Sequence, residues 1–354
     1  MESQNQLLRE RLQTGFLGII AFALLMFLLV QAQFLLICLA IAIIIFSLTS
    51  DAIGAIARQH VPNWLATALA LLLIASGLLW ASATVVSQIN EVVTTAISYA
   101  EQVQAALPSL LEWLGPEAQQ TITTAVQNIN LTGWMRSAAG SASNLLSGAI
   151  LIILFVGFMF AERVWFPLKI ESLLNHDAVA AAQVRLIISS IMRRVNRYLV
   201  VKTLVSAATA ICVWGIFTVA GLPLAGAIAM LTFALNFLPS VGSIIATVIA
   251  LALTYVLSAD ISTTLMVGAA CTLVQFIIGN VIDPMLLGQT LRLSSFGIIL
   301  SLAFWGAIWG IPGMFLAVPI MVAVMIVCAH IPWMRPIAIM LSREGHPDDG
   351  LTDA

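Results

Sequence analysis

Long apolar runs separated by short polar segments dominate the chain from residue 14 to residue 329. Because a membrane-spanning helix needs about 20 apolar residues, these runs predict membrane spans. The shortest runs, 222–236 and 296–309, indicate half-helices or re-entrant segments. We expect about eight full crossings, with ten segments as the upper count. The ten runs are 14–30, 34–49, 64–86, 142–161, 203–220, 222–236, 240–258, 262–282, 296–309 and 311–329.

The composition agrees with this pattern. Of 354 residues, 61% are hydrophobic and 8% are charged, against about 25% charged residues in soluble domains. With a mean hydropathy of +1.06, the chain is predicted to be an all-α polytopic membrane protein. It has no basic, aromatic-studded module, so no nucleic-acid partner is expected. The cysteines lie in separate apolar runs without a CxxC pair, which indicates packing residues rather than disulfides or zinc ligands.

Charge predicts the orientation. If the N-terminus is cytoplasmic and each run is a crossing, all of the fourteen Lys and Arg residues except Arg136 lie on the cytoplasmic side. Both termini are then cytoplasmic. The predicted units are N-terminal transmembrane helices (1–86), an external amphipathic helical region (87–141), a transmembrane helix (142–161), a cytoplasmic basic amphipathic helix (162–202), a transmembrane transport core (203–332) and a cytoplasmic tail (333–354).

The external region, residues 87–141, carries apolar side chains at helical spacing from Ile89 to Val103. Pro108 and the Gly115-Pro116 pair interrupt this periodicity, and it resumes over 117–130. The pattern predicts two or three amphipathic helices outside the membrane. They could cap a pathway, pack against copies of the same chain, or have no specific role.

A basic stripe runs along the predicted cytoplasmic helix. Arg185, Ser189, Arg193 and Arg197 recur every four residues, and apolar residues lie mostly elsewhere around the helix. We expect this helix to lie on the membrane surface and turn into the next span. Anchoring to phospholipid and regulation through the arginines are both open. Arg194 and Lys202 are further candidates for this surface.

Two segments combine Trp-Gly with a Gly-x-Pro break. WGIFTVAGLP spans residues 214–223, and WGAIWGIP spans 305–312. Paired short hydrophobic segments interrupted by glycine and proline indicate the binding region of a transporter, although kinks that serve packing would give the same pattern. The candidate residues of the pathway or gate, at these breaks and in the segment around Asp283, are Asn236, Pro239, Gly242, Gln275, Asn280, Asp283, Pro284, Gly288, Gly310, Pro312, Gly313 and Pro319.

The segment GNVIDPMLLGQ, residues 279–289, places polar groups where an apolar run ends. Asn280 and Asp283 are three apart and can face the same way, whereas Gln275 lies off their stripe. Because a residue before proline is biased away from helical geometry, we expect the helix to end at Asp283 and Pro284, with Gly288 following. Asp283 is either half of an ion pair with Arg292, Lys202 or Arg197, or a carboxylate that couples transport to a proton or cation.

Several catalytic signatures are missing from the sequence. There is no GxxxxGK[ST] phosphate loop, no HExxH and no GxSxG, and the four histidines are scattered. We therefore expect no ATP hydrolysis, no enzymatic activity, no metal and no cofactor.

Five segments in the C-terminal half together resemble the autoinducer-2 exporter family of transporters, also called PerM-like permeases. They are RRVNRYLVVKT, GLPLAGAIAML, NFLPSVGSIIA, GNVIDPMLLGQTLRLSS and GIPGMFLAVPI. The family's motifs fall on Pro239 and Gly242, on Asn280, Asp283, Pro284 and Gly288, and on Gly310, Gly313 and Pro319. One departure is Ser294-Ser295, where members often have a proline soon after the glycine that corresponds to Gly288.

This resemblance implies an inner-membrane secondary transporter whose partners are the lipid bilayer and a small solute or ion. Family members are associated with export of the quorum-sensing signal autoinducer-2, and others with sodium/proton exchange. The resemblance also implies homo-oligomers such as pentamers. Our interpretation is a permease that exports a small solute without ATP. A cation/proton antiporter and a non-transporting membrane scaffold or regulator are the alternatives.

Cysteine labelling in intact cells tests the predicted orientation. A cysteine at residue 120 should react with a membrane-impermeant reagent added outside, because the lysine and arginine asymmetry places residues 87–141 there. A cysteine at residue 345 should be protected until the membrane is opened. The reverse labelling pattern would overturn the orientation.

Overall fold

The computed structural model of the chain describes residues 2–57, 63–110, 131–174, 177–239, 241–287 and 293–345. Within these ranges it is helical, with one isolated bridge between Leu293 and Ser342 and no strand. The helices are α1 (Glu2–Gln31), α2 (Gln33–Ala57), α3 (Asn63–Leu110), α4 (Leu131–Glu162), α5 (Phe166–Leu173), α6 (Ala178–Val219), α7 (Ala225–Leu235), α8 (Val241–Ser258), α9 (Ile261–Ile277), a π-helical turn (Ile278–Ile282), α10 (Asp283–Leu287), α11 (Ser295–His330) and α12 (Arg335–Leu341).

Eight helices in the described part of the chain are long and apolar enough to cross a membrane. This confirms the predicted fold class, an all-α polytopic membrane protein. The correspondence with the ten predicted runs is not one to one, because 296–309 and 311–329 both fall in α11 and 222–236 contains only the short helix α7.

The first two predicted runs are joined without a polar loop. Helical hydrogen bonds from Ala32 N to the Leu28 carbonyl and from Leu36 N to the Ala32 carbonyl carry the chain from α1 into α2. No residue from Gln13 to Gln31 is buried, so α1 presents apolar side chains around its whole circumference. A helix of this kind is suited to contact with lipid rather than to a packed interior.

Helices α2, α3 and α4 form one packed group. Its buried core contains Cys38, Ala42, Val156 and Phe160, and partly buried residues of α3 pack against it. The rings of Phe46 and Phe160 meet edge to face with centroids 4.8 Å apart. This group positions the ends of α2 and α4 side by side.

The predicted external region, residues 87–141, is only partly described. Helix α3 continues from the predicted span 64–86 through Pro108 to Leu110, and α4 already begins at Leu131. Residues 111–130, which contain the Gly115-Pro116 pair, lie outside the described residues. The described ends of this region therefore extend the neighbouring spans.

Helix α6 is a single helix of 42 residues, Ala178–Val219. It starts where the Asp177 carboxylate accepts hydrogen bonds from the backbone N–H groups of Val179 and Ala180, an ordinary N-cap. The basic segment and the following apolar run are continuous, so the predicted boundary between residues 202 and 203 lies within one helix.

The chain reverses twice after α6. Gly221 and Leu224 adopt left-handed φ values of 67° and 66°, and α7 then returns along α6. Helix α7 ends at Leu235, and α8 begins at Val241 after a tight turn. A Cβ on Gly242 would lie 1.7 Å from the Leu235 carbonyl oxygen, so only glycine allows α8 to start this close to the end of α7.

Helix α11 is folded at Gly310, whose φ of 64° and ψ of −143° are not helical. Its two arms, 295–309 and 311–330, lie side by side, since the Ser301 hydroxyl donates to the Ala317 carbonyl over 2.7 Å. A Cβ on Gly313 would lie 2.1 Å from the Trp305 carbonyl oxygen, which again requires glycine. Both short predicted runs are thus arms of helical hairpins.

The two hairpins, α7–α8 and the folded α11, pack against each other. Leu238, in the turn of the first, shares a buried cluster with Leu302 and Ala317 of the second. The rings of Phe237 and Phe315 lie 5.3 Å apart. At the bend of the second hairpin, Trp309 Nε1 donates to the Leu29 carbonyl of α1 over 3.0 Å. Leu238 in the first turn and Trp309 beside the second bend are therefore buried inside the protein.

Alanine substitutions test the close packing at these hairpins. Gly242→Ala and Gly313→Ala should each lower the unfolding free energy by about 1–3 kcal/mol, because the new methyl group would collide with a rigid backbone carbonyl. Gly215→Ala in α6 is the control, because nothing lies within 4 Å of its added Cβ, and it should be neutral or slightly stabilising. Thermal unfolding in detergent measures all three. Equal stability of the three variants would contradict backbone contact at the hairpins.

Candidate functional site

One face of α6 is polar although it is buried. Tyr198, Lys202, Ser206 and Thr209 are all nearly inaccessible, and their spacings of four, four and three residues place them on one side of the helix. The same face continues with the apolar residues Val213 and Phe217. A buried polar face in a membrane helix is costly and marks a candidate functional site.

Lys202 forms an ion pair with Asp283. Its Nζ donates to Asp283 Oδ2 over 2.7 Å, and the two side chains are only 4% and 18% exposed. The sequence indicates three candidate partners for Asp283, and in the structure the partner is Lys202. Arg197 is exposed, and Arg292 lies outside the described residues. The second oxygen, Asp283 Oδ1, is buried and has no hydrogen-bond partner in the described part of the chain.

A π-helical turn aims Asp283 at Lys202. The buried face of α9 contains Val267, Cys271, Gln275 and then Ile278 of the π turn. Because a π turn holds one more residue than an α turn, it rotates the residues after it by about one position around the helix. In an uninterrupted α-helix Asp283 would point about 80° away from Gln275, and the extra residue of the π turn reduces this difference.

The predicted helix end at Pro284 is wrong. Asp283 has helical φ and ψ angles of −59° and −50°, and the chain continues in α10 to Leu287. The π turn explains the difference. Pro284 follows this turn directly, and a local switch to π hydrogen bonding is one of the adjustments by which a membrane helix accommodates a proline.

The motif residues around Asp283 do not come together. The Asn280 side chain is exposed, and its Nδ2 donates to the Phe276 carbonyl of its own helix over 3.1 Å. Gln275 is buried on the face that bears Asp283. Gly288 lies outside the described residues. The expected stripe of Asn280 and Asp283 is thus replaced by one of Gln275 and Asp283.

Asn236 forms a second polar cluster one turn further along α6. It caps the C-terminus of α7, and its Nδ2 lies 3.2 Å from Ser206 Oγ and 3.4 Å from Thr209 Oγ1. All three side chains are buried. Ser206 is four residues from Lys202, a rise of about 6 Å along the helix, so the two polar groups are neighbours on one surface.

The remaining candidates at the breaks shape the backbone. Gly242, Gly313 and Pro319 are buried, Pro239 is partly buried, and Gly310 and Pro312 are exposed at the bend of α11. These residues give the hairpins their geometry, and the polar side chains of the site come instead from α6, α7 and α10. Sequence reasoning missed Tyr198, Ser206 and Thr209, whose helical spacing from Lys202 was the available signal.

The proposed membrane-surface residues fall into different environments. Lys202 is 3% exposed and lies inside the protein, which corrects its assignment to a membrane surface. Arg185 forms an ion pair with Glu171 in α5. Arg193 and Arg197 are exposed on the N-terminal part of α6, and Arg194 is partly buried there.

The chain is similar to known transport proteins over most of its length. A family model described as AI-2E family transporter matches residues 17–333. The AI-2 transport protein TqsA of Escherichia coli (strain K12) is 29% identical over 290 residues, which cover 80% of this chain and 83% of TqsA. A Haemophilus influenzae protein is 26% identical over 85% of this chain and 88% of its own length. YhhT of Escherichia coli is 30% identical over 211 residues, which cover 60% of this chain and 56% of YhhT. The names of these last two propose transport without giving a solute.

Single and double variants test the ion pair. Asp283→Asn should lower stability more than Lys202→Met, because it leaves the less exposed partner, the Lys202 ammonium, without its counter-charge. We expect Asp283→Asn to lower the unfolding free energy by about 3 kcal/mol. This is the lower end of the usual cost of breaking a buried ion pair, because Asp283 keeps some exposure. The double variant Lys202→Met/Asp283→Asn should recover most of this loss.

Thermal unfolding of the four proteins in detergent gives the coupling energy as a double-mutant cycle. Strictly additive losses would show that the two side chains do not stabilise each other.

Proposed function

The chain belongs to the AI-2E family of transporters, and we propose that it carries its solute along the buried polar face of α6. The family match and the relative TqsA confirm the resemblance found in the sequence motifs. The protein is a multi-pass membrane transporter of a small solute. The pathway, the solute and the coupling are the parts that we propose.

The cluster of Asn236, Ser206 and Thr209 carries the proposal. Secondary transporters bind solutes where helices are broken near the middle of the membrane, because the ends of broken helices offer hydrogen-bonding groups. Helix α7 ends at this cluster, partway along α6 and at the turn of the α7–α8 hairpin. The amide and the two hydroxyls can exchange their mutual hydrogen bonds for bonds to a solute.

The chemistry of this cluster favours an uncharged solute rich in hydroxyl or carbonyl groups. Asn236, Ser206 and Thr209 offer hydrogen bonds without net charge. The name of TqsA, an AI-2 transport protein, makes an autoinducer-2-like signal the first solute to test. Because all three side chains are buried, the described conformation is closed, and passage requires the turn between α7 and α8 to move away from α6.

Asp283 is the proposed coupling group. Its Oδ1 has no hydrogen-bond partner among the described residues, so the carboxylate can accept a proton or a cation there. Either event neutralises Asp283 and weakens its attraction for Lys202, which then becomes free to move. The same geometry favours a second candidate function, cation/proton antiport, in which the carboxylate itself is the site of exchange.

We further propose an inner-membrane location with both termini cytoplasmic. The lysine and arginine asymmetry supports this orientation, and the Gln88 side chain lies against Gly226, as expected if both are near the outer surface. A homo-oligomer is proposed from the family resemblance. The unburied apolar surface of α1 leaves space for either lipid or another copy.

Flux in proteoliposomes tests the proposed pathway. Asn236→Ala should reduce autoinducer-2 flux about tenfold or more, because losing one or two bonds to the solute costs roughly 1.4 kcal/mol or more. Asn280→Ala is the matched control, since that exposed amide is bonded to its own helix, and it should transport like the wild type. Equal activity of the two variants would exclude the Asn236 cluster from the pathway.

Imposed proton and sodium gradients test coupling in the same liposomes. Asp283→Asn should leave residual flux that no longer responds to either gradient. The comparison requires a folded variant, which is checked by gel filtration before reconstitution: the variant should elute at the same volume as the wild type. Ion exchange without any organic solute would favour the antiporter. If neither solute nor ions move in the wild type, the protein is a scaffold or regulator instead.

A further inference from the structure

A cleft of about 860 Å³ lies away from the polar face of α6, where the ends of α2 and α4 meet α5 and the N-terminal part of α6. Its volume is within the range of roughly 300–1,000 Å³ that is usual for ligand sites. Apolar side chains form much of its wall, including Phe46, Met159, Phe166 and Met192. We call it the α5 cleft.

The α5 cleft carries a net positive charge. Arg163 and Arg193 both line it, and neither has an ion-pair partner in the described part of the chain. Glu162 is the one acid of the lining, and it is already paired with Lys169. Another nearby acid, Glu171, is paired with Arg185. The two unpaired guanidinium groups are therefore available to an anion.

The cleft lies at the end of a candidate membrane span. Glu162 lines it and is the last residue of both helix α4 and the candidate span Ser143–Glu162. Arginines at this level meet the phosphate groups of lipids, and side chains one or two turns deeper, such as Phe46 and Met159, meet acyl chains.

Helix α5 supports the same placement. Large apolar side chains in and next to α5 are at least half exposed: Val164, Trp165, Phe166, Leu168 and Leu173. Exposed tryptophan and aliphatic groups beside Arg163 and Lys169 are typical of a segment that lies in the membrane interface. A second hollow of about 150 Å³ adjoins the cleft across Phe166 and Ile188, which extends the apolar groove.

We propose that the α5 cleft binds one anionic phospholipid, with its phosphate between Arg163 and Arg193 and an acyl chain along Phe46, Met159 and Met192. A soluble anion would gain from the arginines but would leave the apolar wall uncovered. A zwitterionic lipid would cover the wall but would place a second, positive charge near the arginines. An anionic lipid satisfies both parts of the site.

A thermal-shift titration of the full-length protein in detergent tests this site. Increasing concentrations of dioctanoyl-phosphatidylglycerol should raise the unfolding temperature until it reaches a plateau. Dioctanoyl-phosphatidylcholine should raise it far less. The variant Arg163→Gln/Arg193→Gln should weaken the apparent affinity for phosphatidylglycerol at least tenfold. Native mass spectrometry should show one retained phosphatidylglycerol on the wild type and none on this variant.

Arg197→Gln is the matched control. Arg197 is exposed on the same basic stripe, one turn beyond Arg193, but does not line the cleft. It should bind phosphatidylglycerol as the wild type does. An equal loss of affinity in Arg197→Gln would mean that the stripe attracts anionic lipid without a defined site, which overturns the proposal. An equal thermal shift from sn-glycerol 3-phosphate would also overturn it, because the apolar wall would then contribute nothing.

Discussion

Hydrocarbon offers no hydrogen-bond partners, so polar groups that this chain places among its apolar helices depend on bonds within the protein. The Lys202 ammonium meets Asp283, and the Asn236 amide meets two hydroxyls of α6. At the broken helices, the Ser301 hydroxyl and the Trp309 indole donate to main-chain carbonyls. These bonds all join different helices or helix arms. The requirement to satisfy polar groups therefore also fixes how the two hairpins sit against the rest of the bundle.

Close backbone approach is the second consequence of a bilayer environment. Apolar side chains gain little by leaving lipid for protein, so helices in membranes associate through tight packing and small residues. Gly242 and Gly313 show this directly, because any side chain there would overlap a carbonyl oxygen of the neighbouring arm. The glycines of the sequence motifs thus build the hairpins, and the hairpins bring Asn236 to α6.

The sequence could predict features that depend on local pattern. Apolar runs predicted the helices, and the Gly-x-Pro breaks drew attention to both hairpins. The π turn was not predictable, since its register shift is a property of the folded helix and no residue type encodes it. Without the π turn, Asp283 is expected at a helix end.

The burial of Lys202 is also not predictable from the sequence. Charge alone predicts a position at the membrane edge, whereas contacts from α10 cover this lysine. The sequence pattern does not single out Ser206 and Thr209, because a hydroxyl in an apolar run can bond its own helix, as Thr209 also does with the Val205 carbonyl.

The position of both polar clusters on α6 has a consequence for coupling. Lys202 and Ser206 are one turn apart on a rigid helix, so a rotation or tilt of α6 that separates Ser206 from Asn236 also changes the distance from Lys202 to Asp283. Coupling between two sites requires a shared element with two arrangements, and α6 is the element that the two polar clusters share. If solute favours the arrangement with Asn236 released, and a proton or cation on Asp283 favours the same arrangement, thermodynamic linkage makes each raise the affinity for the other. In such a protein the gradient acts on the solute through one helix, without direct contact between the solute and Asp283.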